Sequence, residues 1–224
     1  MGCADMEWDW GFVIEIMPTL LEGLKLTLII TLVAAVLAAG LGLMFAILRR
    51  STNPLIARPV AFFLEFIRGT PLLVQLYFIF YVLPDLGIVL SPFVAGVTGM
   101  GLHYATYTAE VYRAGIENVA RGQWEAARAT NLNLRQTWVH VIVPQAIPPM
   151  IPALANYLIA MFKETPLLSA ITVLELMNRA KSVANSSYRY IEPMTMVGVL
   201  FLIISLISVV ALRFLERRFG RIVK

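Results

Sequence analysis

Four long stretches of the chain run without Asp, Glu, Lys or Arg: Leu26–Leu48, Leu86–Ala109, Val141–Phe162 and Pro193–Leu212. Each is close to the roughly 20 apolar residues that a helix needs to cross a hydrocarbon core about 30 Å thick. A fifth, Gly69–Pro84, reaches that length when extended back to Val60, at the cost of including Glu65 and Arg68. The pattern predicts an all-α integral membrane protein of about five transmembrane helices. The second is marked by its charges, the third by its glycines, and the fourth by Pro144, Pro148, Pro149 and Pro152.

Basic residues set the orientation, because they collect on the cytoplasmic side. Arg49, Arg50 and Arg58 follow the first span, Arg113, Arg121, Arg128 and Arg135 the third, and Arg213, Arg217, Arg218, Arg221 and Lys224 the fifth. The opposite side carries only Lys25, Arg179, Lys181 and Arg189. The N-terminus is expected outside and the C-terminus in the cytoplasm, with the chain multi-pass in the inner (plasma) membrane. Residues 1–19 then read as an extracytoplasmic segment, 20–216 as the membrane unit and 217–224 as a basic cytoplasmic tail. Position 6 is Met where a myristoylation signal after Met1-Gly2-Cys3 wants Ser or Thr. No basic run precedes an apolar one there, as a cleaved signal would require. Trp8 and Trp10 read as an interfacial belt.

Composition agrees: 59% of residues are hydrophobic and 14% charged, against about 45–50% and about 25% in soluble domains. The net charge of +4 is too small and too scattered for a nucleic-acid surface. Cys3 is the single cysteine, so neither an intrachain disulfide nor a cysteine metal cluster is expected. His103 and His140 are the only histidines and no carboxylate pattern joins them. The reading is of a chain that is not an enzyme and needs no metal or cofactor.

The rare polar residues inside the spans are therefore informative. Arg68, Thr70, Pro71 and Gln75 form one group, with Glu65 three residues before Arg68 and placed to pair with it. Pro71 cannot donate to the carbonyl of Ile67, which must find another partner. Lys163, Glu164 and Thr165, followed by Pro166, form a second group that either lines a solute path or marks the outer end of a span. Glu110 and Arg113 read as a structural ion pair, and Tyr104 and Tyr107 as packing or interface residues. His103 reads as a hydrogen-bonded structural residue and His140 as an interfacial one.

Between the third and fourth spans lies a polar stretch in which residues 123–130 favour helix. Gly122 can start that helix and Asn131 can end it in a left-handed conformation. The run Glu125-Ala126-Ala127, with Ile142-Val143-Pro144 after it, resembles the EAA loop of ABC importer permeases. Asn131 stands where the family pattern has Gly, and Val143 where it has Leu. The runs 68–75, 109–116 and 163–167 further resemble the polar amino acid permease subfamily, and most of all the permease subunits of ectoine and hydroxyectoine importers.

What the resemblance implies is an ABC type I importer permease fold that carries a small zwitterionic solute, an ectoine or a polar amino acid. It implies a second permease subunit, identical or homologous, a cytoplasmic ABC ATPase dimer and an extracytoplasmic solute-binding protein. Gly122, Glu125, Ala126, Ala127, Asn131 and Pro144 would belong to the ATPase-coupling loop. No phosphate-binding Gly-x-x-x-x-Gly-Lys-Ser/Thr run occurs in the sequence, so ATP hydrolysis would come from another polypeptide. A stand-alone secondary transporter or channel is the alternative.

Overall fold

The computed structural model describes residues 8–219, with side chains as far as Phe214. The Met1-Gly2-Cys3 start and the tail from residue 220 lie outside the described residues. The described part is helical throughout, with nine α-helices: α1 Trp10–Arg49, α2 Pro54–Gly69, α3 Leu72–Tyr77, α4 Pro92–Glu117, α5 Arg121–Ala129, α6 Leu134–Gln136, α7 Val143–Glu164, α8 Leu176–Ser187 and α9 Ile191–Phe219. Wide π turns at Phe78–Val82 and Thr137–Ile142, and 3₁₀ turns at Leu83–Leu86 and Thr165–Ile171, join some of them.

α1 starts at Trp10, capped by the Asp9 carboxylate accepting from Phe12 N–H at 3.1 Å. Its 40 residues make a rod of roughly 60 Å at 1.5 Å per residue, about twice the hydrocarbon thickness. The latter half of the stretch 1–19 is therefore the first part of this helix. By length and composition α1, the Leu134–Ile171 stretch and Ile191–Phe214 qualify as spans, and the bent pair α2–α3 makes a fourth. α4 is long enough at 26 residues, but its glycines, threonines, tyrosines and histidine lower its hydropathy. That composition suits its place, since much of it is buried among the other helices. Four spans thus qualify by length and composition, and α4 has the length for the expected fifth.

α1 and α4 form the closest pair. Thr27, Thr31, Ala34, Ala38 and Gly42 lie buried on one stripe of α1 at spacings of three and four. A Cβ on Gly42 would stand 2.0 Å from Thr108 Oγ1, and that hydroxyl donates to the Ala38 carbonyl at 2.9 Å. Small residues let two backbones approach and exchange hydrogen bonds, which is how helices associate where lipid is as apolar as the side chains. Ile30, Ala34, Ala38, Leu72, Leu76, Met100, Tyr104 and Met161 carry the core outward from this seam to α3 and α7.

The second span differs from the straight helix that the pattern suggests. It breaks between Gly69 and Leu72, and the helical stretches Pro54–Gly69 and Leu72–Leu86 are bent by 103°. Pro71 enforces the break. The freed Ile67 carbonyl accepts from Gln75 Nε2 at 2.7 Å, from Thr70 Oγ1 at 3.1 Å and from Thr70 N–H at 3.3 Å. Gln75 Nε2 also reaches the Thr70 carbonyl at 3.1 Å and Thr70 Oγ1 at 2.8 Å. One amide thus closes the end of α2, and a bend at membrane depth is tolerated because its polar groups are met.

The last loop holds a twelve-residue helix, α8, laid on the first half of α1. A Cβ on Gly23 would stand 2.8 Å from Leu176 Cα, and Thr27 Oγ1 accepts from Leu176 N–H at 3.1 Å. Glu175 caps α8, its two oxygens accepting from Met177 N–H and Asn178 N–H, each at 2.8 Å. It is fully buried, and burial pushes its carboxyl up to about 7 against the opposing effect of those two bonds.

Replacing Gln75 by Leu should lower the thermal unfolding midpoint in detergent, with a loss on the order of 1 kcal/mol for polar groups left short of a donor. An unchanged midpoint would show that water does the work of the amide. Glu175 gives a pH signature. A carboxyl raised in the folded state binds its proton more tightly there, so its contribution is full below about pH 4.5 and is lost as pH rises to about 7. Midpoints measured from pH 4.5 to 7.5 should fall less steeply for Glu175→Gln than for the parent, and equal slopes would count against this.

Candidate functional site

Two regions bring the sequence-selected residues together. The first surrounds α5. It begins at Arg121, one residue before Gly122, and ends in a left-handed Asn131 at φ 57°. Around that residue Leu132 N–H bonds to the Ala127 carbonyl and Asn131 N–H to the Arg128 carbonyl, both at 3.0 Å, a Schellman closure. Asn is the side chain that best replaces Gly in this conformation.

Glu125 and Ala126 are exposed, but Ala127 is buried at 3% exposure. Ala126 thus faces outward and Ala127 inward, which lets α5 lie close on its own chain. Trp124 packs edge-on against Trp138 with centroids 5.3 Å apart, and Gln145 Nε2 donates to Gln123 Oε1 at 3.2 Å. Val119, Ile142, Ala146 and Met150 form the cluster beneath. Pro144, exposed at the second position of α7, follows the π turn Thr137–Ile142. A proline ring has no N–H for the carbonyl one turn back, and the wider turn before it accommodates the irregular hydrogen-bonding. Where α4 and α7 cross nearby, a Cβ on Gly115 would stand 2.2 Å from Met150 Cε. α5 is thus bound to the start of the proline-rich α7.

The second region lies in the helix bundle. Arg68 does not pair with Glu65, which is exposed and has no ion-pair partner among the described residues. Arg68 turns instead to Glu110 at 3.6 Å, where Arg49 and Arg113 also converge, Arg113 at 2.8 Å. Arg113 also holds Glu117 at 2.6 Å. The expected Glu110–Arg113 pair is present as part of this larger knot, which ties the ends of α1 and α2 to α4.

Thr70, Pro71 and the Gln75 amide serve the bend, as described above. Thr165 is fully buried, and its hydroxyl donates to the Phe162 carbonyl at 2.7 Å. Lys163 is exposed and has no ion-pair partner among the described residues. Glu164 has a buried Oε2 with no hydrogen-bond partner. These two keep capacity for a ligand.

Beside Glu164 lies a cluster that sequence reasoning did not assign to a ligand. Tyr104, Tyr107 and Tyr157 have ring centroids 5.4–6.2 Å apart, and His103 lies 5.3–5.6 Å from the first two. His103 Nδ1 meets Gln75 Oε1 at 3.2 Å. The signal was present in the ring residues 103, 104 and 107 on adjoining turns of α4, but Tyr157 comes from another helix.

Residues 38–221 match the family model described as binding-protein-dependent transport system inner membrane component. A probable amino-acid ABC transporter permease of Sinorhizobium fredii is 42% identical, with 93% of each chain covered. The glutamine transport system permease of Escherichia coli strain K12 is 37% identical over 95% of this chain and 98% of its own. Among solved structures, an amino acid ABC transporter with histidines superposes at TM-score 0.89 with 34% identity, covering 95% of this chain and 99% of that one. An inward-facing methionine ABC transporter superposes at TM-score 0.77 with 21% identity, covering 92% and 98%, a likeness of fold. With the all-helical fold, the family match and these relatives in agreement, the chain belongs to the family of binding-protein-dependent transport system inner membrane components, as a permease subunit of the amino-acid ABC importer type.

Proposed function

We propose that this permease moves a small zwitterion, an amino acid or a cyclic relative such as ectoine, inward across the membrane, driven by a separate ATPase dimer that grips α5. The observation that carries this is the two-sidedness of α5: Glu125 and Ala126 exposed on one side, Ala127 sunk against the chain on the other. A helix seated in that way transmits a push, because its contacts at Trp138 and Gln145 lead into α7. ATP binding must favour one packing of the bundle over the other for this push to matter.

In this reading the N-terminus lies outside and α5 in the cytoplasm. The gathering of Arg49, Arg50, Arg68 and Arg113 at the α5 end supports it, with Arg50 over the Trp138 ring at 5.8 Å. A second copy or a homologue completes the pathway and an extracytoplasmic binding protein delivers the solute. Residues 1–19 and 217–224 flank the 20–216 permease unit as outer segment and cytoplasmic tail. In the solute path, Glu164 receives the cationic end and Lys163 the carboxylate, since a zwitterion needs one partner of each sign. Arg68, Thr70, Pro71, Gln75 and Thr165 shape that path as positioning residues.

Glu125→Lys should leave the permease inserted and assembled but reduce solute-stimulated ATP hydrolysis and uptake in proteoliposomes at least tenfold. Ala127→Asp should do the same by a different route, because an unpaired buried carboxylate unseats α5. Solute-stimulated hydrolysis at the parent rate in both variants would overturn the coupling role of α5.

A further inference from the structure

We infer that His103 is a specificity-determining residue of the solute path, presenting a bare Nε2 that accepts an N–H from the cationic end of the solute. The inference rests on the solute-path reading of Lys163 and Glu164 given above and adds to it the residue that fixes the site's hydrogen-bond polarity.

The hydrogen-bond chain begins at the helix break. Pro71 leaves the Ile67 carbonyl open, and the side-chain amide of Gln75 meets it together with the Thr70 carbonyl, at 2.7 and 3.1 Å. Carbonyl oxygens have no hydrogen to give, so the group between them is the NH₂ of Gln75 and the other end is its oxygen. That oxygen faces His103 Nδ1 at 3.2 Å. An amide oxygen only accepts, so Nδ1 carries the hydrogen, and in the neutral imidazole Nε2 then carries none. The tautomer of His103 is thus dictated by a proline in a different helix.

His103 is 8% exposed, and its Nε2 has no protein partner among the described residues. A second acceptor lies within electrostatic reach of both His103 and Tyr104: Glu164, whose Oε2 is buried and unpartnered. Tyrosine hydroxyls can turn to donate or accept, but a bare ring nitrogen and a carboxylate are fixed acceptors. The rings of Tyr104 and Tyr107 lie beside His103. This combination suits a cation rich in N–H groups, whether an α-ammonium, a guanidinium or an imidazolium, with the rings adding cation–π attraction.

The test uses the assembled transporter in nanodiscs with ¹⁵N-labelled histidine. Resonances missing from the His103→Phe complex belong to His103. They should report an Nδ1–H, bare-Nε2 imidazole in the parent, and both tautomers in Gln75→Met, which removes the amide oxygen. Among L-glutamine, L-arginine and L-histidine, a solute that stimulates ATP hydrolysis should shift the Nε2 resonance. Its Nα-trimethyl analogue, which has no N–H on the ammonium, should need at least tenfold more for half-maximal stimulation in the parent and show a smaller penalty in His103→Phe. An Nε2–H tautomer in the parent, or a stimulating solute that leaves Nε2 unmoved, overturns the inference alone. A stimulating solute whose half-maximal concentration is unchanged by Lys163→Ala and Glu164→Gln overturns the solute-path reading, and this inference with it.

Discussion

Inside a hydrocarbon layer no backbone carbonyl or N–H can be left to water, and this constraint organises the permease. It explains why a proline in the second span is followed four residues later by Gln75, whose amide closes the opened end of α2. It explains why Thr27, Thr31, Thr108 and Thr165 lie buried with hydroxyls on backbone carbonyls. It also gives the exceptions their meaning. Against that background the unpartnered buried oxygen of Glu164 is an exception, and the solute path proposed here gives it a use.

Much of the helical layout was legible in the sequence because bilayer thickness imposes a length on the apolar stretches. Asn131 could be recognised as a left-handed helix end, since few other residues replace Gly there, and the need of the Ile67 carbonyl for a partner followed from Pro71 alone. Other features depended on contacts between distant segments. Glu65 and Arg68 sit one turn apart, and nothing local says that Arg68 prefers Glu110, forty-two residues on, over its neighbour. The 103° bend moves Gln75 off the stripe that a straight helix would give it. α8 was hidden because its Asn- and Ser-rich sequence resembles a loop, and its stability comes from the buried cap at Glu175 and close packing on Gly23. The aromatic cluster needed Tyr157 from α7 to reach Tyr104 and Tyr107 on α4.

The same distinction applies to Ala127. The resemblance to an EAA loop marks the segment, but not which methyl group faces which surface. Its burial makes α5 a seated block rather than a free arm, with Trp124 and Trp138 as the wedge between loop and bundle. The knot at Glu110 has a related effect at the same end. One carboxylate gathers guanidinium groups from α1, α2 and α4, so these helix ends are held by a single group of modest size.

The contact at Gly42 determines which parts can move. With Thr108 lodged in the place of a side chain, a register shift of one residue would drive Leu41 or Leu43 into the opposing backbone. α1 and α4 therefore behave as a fixed mast. α7 is the looser element, since its prolines and leading π turn remove hydrogen bonds that would keep it stiff. In the coupling proposed here, alternating exposure of the pathway would amount to one hinged spar swinging against a rigid mast, with no sliding of the whole bundle.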